Sequence, residues 1–227
     1  MTDWMPLVPL ALTIALSPLP VAALLMLVFS PHGFTSGAGF GIGWFVGVAL
    51  ATTGLAALSS LLPYTRSAEV GAFQVGVPLL LGSGLIVLGV LQWQRRPSQG
   101  TEVPMPRWMG VLGRLTPLRA ALIGVGYAAF RPKNLAAAAA AGVIILGGAT
   151  GPGAATVSFG VFTVVASLTM LGPVFAYAFG GRAVRSSLER LGEWLVRRMR
   201  VITTATTLVV GVVLVFAGGW ALVVRVA

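Results

Sequence analysis

The sequence contains no cysteine and carries very little charge. Charged residues make up 9% of the 227 positions, whereas about 25% is usual for a soluble domain. The missing cysteines exclude disulfides, thiolate metal sites and thiol redox chemistry. An enzyme is not expected, because the sequence has no paired acids, no cysteine–histidine pair and no phosphate-binding glycine loop.

Acidic side chains are too few and too scattered to hold a metal ion. Hard cations prefer carboxylate oxygens, and no acid lies inside a long apolar run. The five acids, all in connections or near the ends of runs, are Asp3, Glu69, Glu102, Glu189 and Glu193. Neither a metal nor a cofactor is therefore expected.

Apolar residues, by contrast, account for 57% of the chain, and the mean hydropathy is +0.95. Several apolar runs reach the roughly 20 residues that cross a bilayer. The first run is interpreted as a retained span rather than a signal peptide, because no basic residue precedes it. The sequence predicts an all-α integral membrane protein with six transmembrane helices, near 5–29, 38–62, 71–93, 118–146, 152–179 and 201–224.

The distribution of arginine predicts how these spans are oriented. Eleven arginines lie in the connections after the third and fifth spans, and two lie on the opposite side. The positive-inside rule predicts that the arginine-rich connections are cytoplasmic, with both termini external, in the inner (plasma) membrane. The net charge of +10 is then an orientation signal with anionic membrane lipids as neighbours, and no nucleic acid partner is expected.

The chain divides into two similar halves. The cytoplasmic connection 94–117 separates a three-helix half, 1–93, from a second one, 118–227. At a shift of 114 residues Pro18 matches Pro132, and the register continues through Gly37 and Gly151 as far as Phe45 and Phe159. With three spans per half, the second half enters the membrane from the opposite side, which is typical of an inverted repeat.

Prolines at matching depths predict that the first and fourth helices are broken. Proline removes a backbone hydrogen bond and clashes with the preceding turn. Pro18 and Pro20 lie about 13 residues into the first span, and Pro132 about 14 residues into the fourth, so both breaks fall near the bilayer centre. Each break begins a half-helix whose positive end points into the bundle.

Polar residues at the two breaks predict a binding site for an anionic group. Ser17 is expected to cap the first half-helix, while Arg131, Lys133 and Asn134 surround the start of the second. No acid within a span compensates the two cations. The alternative interpretation is that both cations reach the membrane surface or rest on backbone carbonyls.

Three further polar groups lie at membrane depth. Gln74, Tyr127 and Tyr177 either line the cavity or bond between helices.

Two sequence patterns concern the packing of helices. Small residues every four positions in the second span, Gly39, Gly43, Gly47 and Ala51, predict close helix packing and leave a homodimer open. The stretch 181–200 predicts an amphipathic helix on the cytoplasmic membrane surface, with i,i+4 pairs of Arg185 with Glu189 and of Glu193 with Arg197.

The motifs SPLP in the first span and RPKN in the fourth resemble the lysine-exporter superfamily. The chain is most similar to its glycolipid- and peptidoglycolipid-addressing branch, which includes the sulfolipid-addressing proteins. The resemblance covers nearly the whole chain. It implies glycolipid export to the cell envelope, with the two motifs as the working parts. Amino-acid exporters commonly have NPK where this chain has RPK, and the extra arginine suits a phosphate, sulfate or carboxylate.

Three functions are compatible with the sequence. The first is a transporter that exports or flips an anionic lipid or glycolipid. The second is an exporter of amino acids or small metabolites. The third is a non-transporting accessory subunit that hands lipid to a partner transporter or biosynthetic enzyme.

Overall fold

The computed structural model describes residues 4–30, 33–60, 68–94 and 115–226, in which all regular structure is helical. The helices are α1 (Leu7–Ala15), α2 (Pro18–Val28), α3 (Gly33–Ser60), α4 (Ala68–Gln94), α5 (Pro117–Ala129), α6 (Pro132–Gly148), α7 (Pro152–Phe179), α8 (Arg182–Arg197) and α9 (Met199–Val226). The predicted all-α fold is thus confirmed for these residues. The predicted connection 94–117 begins where α4 ends and finishes where α5 begins, and its residues 95–114 lie outside the described part.

The two helix breaks occur where the prolines predict them. α1 and α2 meet at a bend of 48°, and α5 and α6 at a bend of 68°. Proline disfavours helical geometry in the residue before it. Ser17, which precedes Pro18, has φ −123° and ψ 86°, and Arg131, which precedes Pro132, has φ −78° and ψ 127°. Each proline then starts the next helix, where its missing N–H costs no hydrogen bond.

Several helices are suited to a membrane. Within the described residues, Gly33–Ser60, Pro152–Phe179 and Val201–Trp220 are each long and apolar enough to cross it. The two bent pairs bring the number to five if each pair is one span, and the apolar segment Pro78–Gln94 of α4 is shorter. Large apolar side chains on the outside, such as Phe179 at 84% exposure, fit a lipid environment. The chain is a membrane protein, and the predicted count of six spans stays a prediction.

The glycine stripe of α3 packs against α5. This is the most extensive helix contact in the structure. A Cβ added at Gly47 would lie 2.7 Å from the carbonyl oxygen of Val125, and at Gly43 it would clash with the backbone of Ala121. The prediction of close packing is confirmed. Because α5 covers this stripe, the stripe is not free to face a second copy of the chain, and the possible homodimer stays untested.

Several other helices pack against α6. This helix contacts α1, α3, α4 and α7, while α4 lies along α9. The core between them is apolar and includes the fully buried Phe40, Trp44 and Phe162. Both breaks lie beside this core, with Ser17 and Asn134 buried and with Phe130 and Pro132 exposed.

The shift of 114 residues that matches the two halves in sequence does not match the positions of their helices beyond the breaks. α2 has 11 residues, whereas α6 has 17. Gly37 consequently lies inside α3, while its sequence match Gly151 precedes α7. The second span also begins earlier than predicted, at Gly33 instead of residue 38, because no proline or charged residue interrupts 33–37.

The amphipathic helix predicted at 181–200 is α8, which is followed directly by α9. Leu195 is buried against Ala22 and Leu25 of α2. Arg197 donates to Glu193 at 2.7 Å, as predicted. The predicted pair of Arg185 with Glu189 does not form, because the Arg185 guanidinium lies 4.7 Å from the ring centroid of Tyr177 and donates to the Tyr177 carbonyl at 3.2 Å.

Candidate functional site

The two helix breaks are joined by the single lysine of the chain. The ammonium of Lys133, at the start of α6, donates to the carbonyl oxygen of Leu16 at 3.2 Å and to the Ser17 hydroxyl oxygen at 3.1 Å. These acceptors lie between α1 and α2. An ammonium has three donors, so one donor remains for another partner. The structure thus brings together both breaks predicted from the prolines.

A cavity of about 280 Å³ lies between the breaks. It is lined by Leu16, Ser17, Pro18, Leu19, Arg131, Pro132, Lys133, Thr203, Thr206 and Thr207. This lining contains two cations and no acid. Of the predicted residues, Ser17, Pro18, Arg131, Pro132 and Lys133 therefore lie at one site.

The Arg131 side chain makes fewer hydrogen bonds than the Lys133 side chain. Its guanidinium lies 4.9 Å from the ring centroid of Tyr127, one turn earlier in α5. Stacking on an aromatic face stabilises a cation and orients it. The guanidinium has no hydrogen-bond partner within the described part of the chain, and it lines the cavity. Its planar set of five donors is thus available to an anion.

Ser17 occupies the cap position of α2 but does not cap it. Its hydroxyl donates to the Ile14 carbonyl at 3.0 Å and accepts from Lys133. Capping is precluded at the third helical position because Pro20, like Pro18, has no N–H. Leu19 is the only residue of this first turn with an N–H to offer. The predicted cap by Ser17 is therefore absent, and Pro20 is buried.

Carbonyl groups at the end of α1 have side-chain donors instead. Ile14 accepts from Ser17 at 3.0 Å, Ala15 from the Thr169 hydroxyl at 2.7 Å, and Leu16 from Lys133 at 3.2 Å. The end of a helix carries partial negative charge and favours cations. The ammonium of Lys133 thus lies at the negative end of α1. Its bond to the Leu16 carbonyl agrees in part with the alternative interpretation, in which the cations rest on backbone carbonyls.

Asn134 was predicted to bind substrate, but its amide faces α5. It is 1% exposed, and its nitrogen donates to the carbonyls of Tyr127 at 3.4 Å and Ala128 at 3.2 Å. It is absent from the cavity lining. Asn134 therefore donates hydrogen bonds to carbonyl groups in the last turn of α5, across the bend, which is a structural role.

The three other predicted polar residues have different positions. Tyr127 supports Arg131 from behind. Tyr177 lies elsewhere, with its ring centroid 5.5 Å from that of Phe29 and 6.3 Å from that of Phe34, so it is not part of this cavity. Gln74 belongs to α4, but its side chain falls outside the described residues.

The sequence patterns did not predict a role for the threonines of α9. Thr203, Thr206 and Thr207 form one wall of the cavity. Their spacing of three and four places them on one face of the helix. The segment TTATT at the start of an apolar run was the available signal, since hydroxyls cluster there on the inward side.

A second cavity, of about 490 Å³, lies between α2 and α8. Its lining is mostly apolar and includes Leu25, Met26 and Phe29. Its polar residues are Glu189, Glu193 and Arg197, and Arg197 is paired with Glu193. This cavity is therefore poorly suited to an anion, although it is larger.

Comparison with known protein families gives a match over most of the chain. Residues 7–220 match the model of the family described as Sap, sulfolipid-1-addressing protein. The match includes both helix breaks, α8 and the threonines of α9. No curated protein and no solved structure matches the chain.

Proposed function

Because the chain belongs to the family of sulfolipid-1-addressing proteins, we propose that it transports an anionic lipid or glycolipid. The headgroup binds between the two helix breaks, and the protein exports the lipid or flips it across the inner membrane. The observation that carries this proposal is the guanidinium of Arg131, which has no hydrogen-bond partner among the described residues and lies with Lys133 in a cavity without an acid. Two uncompensated cations at such a place favour an anionic ligand.

The size of the cavity supports the binding of a headgroup rather than of a whole lipid. Its volume of about 280 Å³ is just below the roughly 300–1,000 Å³ found for ligand pockets. In this proposal the acyl chains remain in the bilayer while the polar group enters the protein. A transporter of this kind moves only the polar part of the lipid through its interior.

The proposed transport also depends on the symmetry of the fold. We take the protein to have six spans in two inverted repeats, 1–93 and 118–227, with both termini external, as the sequence register and the distribution of arginine predict. Helix contacts support this arrangement, because α3 packs on α5 as α7 packs on α1. A site at the interface of inverted repeats is exposed alternately to the two sides of the membrane.

Export of a small anionic metabolite is the second candidate. The same cavity volume favours it, since a free metabolite needs no room for acyl chains. The two candidates share the cation pair and differ in the molecule that is moved across the membrane.

A role as a non-transporting accessory subunit would leave lipid binding intact without any movement of lipid. The following experiment separates these outcomes.

The test uses the purified protein in liposomes that contain a sulfated galactolipid with a fluorescent label. Chemical quenching of the outer leaflet reports how fast the lipid exchanges between leaflets. We expect exchange with the wild type and at least about a tenfold loss with Lys133→Met, because hydrogen bonds to charged groups contribute about 1.5–3 kcal/mol. Lys133→Gln, which keeps a donor for Leu16, should lose as much activity while folding normally.

Arg119→Met is the matched control, because Arg119 is an exposed cation of α5 outside the cavity. It should exchange lipid at the wild-type rate. Full activity of both Lys133 variants would overturn the anion site. Uptake of labelled glutamate without lipid exchange would favour the metabolite exporter, and lipid binding without exchange would favour the accessory subunit.

A further inference from the structure

Besides the two cations, the cavity is lined by three threonines of one helix. α9 carries Thr203, Thr206 and Thr207 on the face toward the cavity. Farther along the same face Val210 and Leu214 are buried in the core, at 3% and 0% exposure. The inward face of α9 is thus apolar at Val210 and Leu214 and carries hydroxyl groups at the three threonines.

Two of these threonines depart from the usual behaviour of threonine in a helix. A helical threonine commonly donates its hydroxyl to the carbonyl four residues earlier. Many hydroxyls of this protein do so, at 2.7–2.9 Å: Thr13, Thr52, Thr53, Thr156, Thr163 and Thr207. The hydroxyls of Thr203 and Thr206 have no hydrogen-bond partner among the described residues.

Free hydroxyls beside a cation pair differ from it in what they can bind. Arg131 and Lys133 only donate hydrogen bonds, so they match the oxygens of a sulfate, phosphate or carboxylate. A threonine hydroxyl both donates and accepts, so it matches a group that does the same. The hydroxyl groups of a sugar have this property, whereas a phosphate monoester that is fully ionised only accepts.

We propose that Thr203 and Thr206 bind the hydroxyl groups of a carbohydrate next to the anionic group held by Arg131 and Lys133. The proposal rests on the proposed function, and it assigns the residues that distinguish an anionic glycolipid from an anionic lipid without a sugar. Thr203 and Thr206 then determine specificity, while the cation pair supplies most of the affinity. The short distance along α9 between the two threonines limits this contact to one sugar.

The test compares two anionic lipids, a sulfated galactolipid and phosphatidic acid, for binding to the purified protein in detergent micelles. Native mass spectrometry gives the affinity of each lipid. Thr203→Val with Thr206→Val removes both hydroxyls and keeps the branched shape. We expect about a tenfold loss of affinity for the galactolipid, from two neutral hydrogen bonds, and less than about a twofold change for phosphatidic acid.

Matched variants separate binding from folding. Thr53→Val is the matched control, because Thr53 is an exposed threonine of α3 outside the cavity whose hydroxyl donates to the Ala49 carbonyl, so it should change neither affinity by more than about twofold. Thr203→Ser with Thr206→Ser keeps both hydroxyls and should bind like the wild type. Thermal melting curves show that each variant is folded.

The proposal is overturned if the double valine variant binds both lipids as the wild type does, or weakens both equally. If Lys133→Met weakens both lipids while the valines change nothing, the threonine inference fails and the anion site remains. If Lys133→Met leaves both affinities unchanged, the proposed function fails as well. Selective loss of the galactolipid in the valine variant alone supports the inference.

Discussion

The ammonium of Lys133 lies 3.2 Å from the carbonyl oxygen of Leu16, across 117 positions of the chain. This bond joins the start of α6 to the end of α1 and places a cation at the negative end of a helix. Lys133 therefore has a structural partner as well as a place in the cavity. An anionic ligand would share the ammonium with Leu16 through the remaining donor, or displace that carbonyl.

Removal of the ring behind Arg131 should weaken the binding of anionic lipid. Tyr127→Leu deletes the aromatic face on which the guanidinium is stacked, and such contacts contribute about 0.5–2 kcal/mol. We expect a loss of affinity between about twofold and thirtyfold, measured by native mass spectrometry with phosphatidic acid. Tyr127→Phe keeps the ring and should bind normally. Equal binding by the leucine variant would mean that the ring does not orient Arg131.

Asn134 should affect stability more than ligand binding. Asn134→Leu leaves the carbonyls of Tyr127 and Ala128 without their side-chain donor, which costs about 1–3 kcal/mol of unfolding free energy when the groups are buried. Unfolding in mixed micelles, followed by tryptophan fluorescence, measures this loss. Ser186→Ala, which removes an exposed hydroxyl of α8, is the control and should unfold like the wild type.

The opposite result at Asn134 would be equally informative. If Asn134→Leu unfolds normally and loses affinity for anionic lipid, then Asn134 contacts the ligand as the sequence alone predicts. Its oxygen Oδ1 is buried and has no hydrogen-bond partner in the described part, so this outcome would require the side chain to turn.

Two glycines of α3 should respond differently to the same substitution. Gly43→Ala places a Cβ against the backbone of Ala121 in α5, and overpacking of this kind costs about 1–3 kcal/mol. Gly54→Ala meets nothing within 4 Å, so it should be neutral or slightly stabilising. Thermal melting of the two purified variants tests this difference. Equal melting temperatures would show that α3 and α5 do not pack this closely.

The absence of cysteine makes the predicted topology directly testable. Single cysteines introduced by Gln99→Cys and Ser186→Cys should react with a membrane-impermeant maleimide only from the cytoplasmic side, because arginine-rich connections stay inside. Arg66→Cys should react only from the outside. Labelling of intact cells and of inverted vesicles distinguishes the two sides. The reverse pattern at all three positions would refute the orientation while leaving the inverted repeat possible.

The sequence by itself determined the membrane class, the two breaks and the amphipathic helix. These properties are local: Pro18 and Pro132 change the geometry of the residues immediately before them, and apolar length and helical periodicity need no knowledge of distant contacts. Arg131 and Lys133 could be located at a site for the same reason, because each adjoins a predicted break.

The tertiary structure decided which group each polar side chain binds. Lys133 meets Ser17 across 116 positions, while neighbouring Asn134 turns away toward α5. Thr203 enters the cavity from the last helix of the chain. The direction of a side chain depends on the rotation of its helix after a bend of 48° or 68°, and a sequence pattern fixes neither that rotation nor the approach of α9. Long-range packing, which buries the apolar faces of all these helices together, sets both.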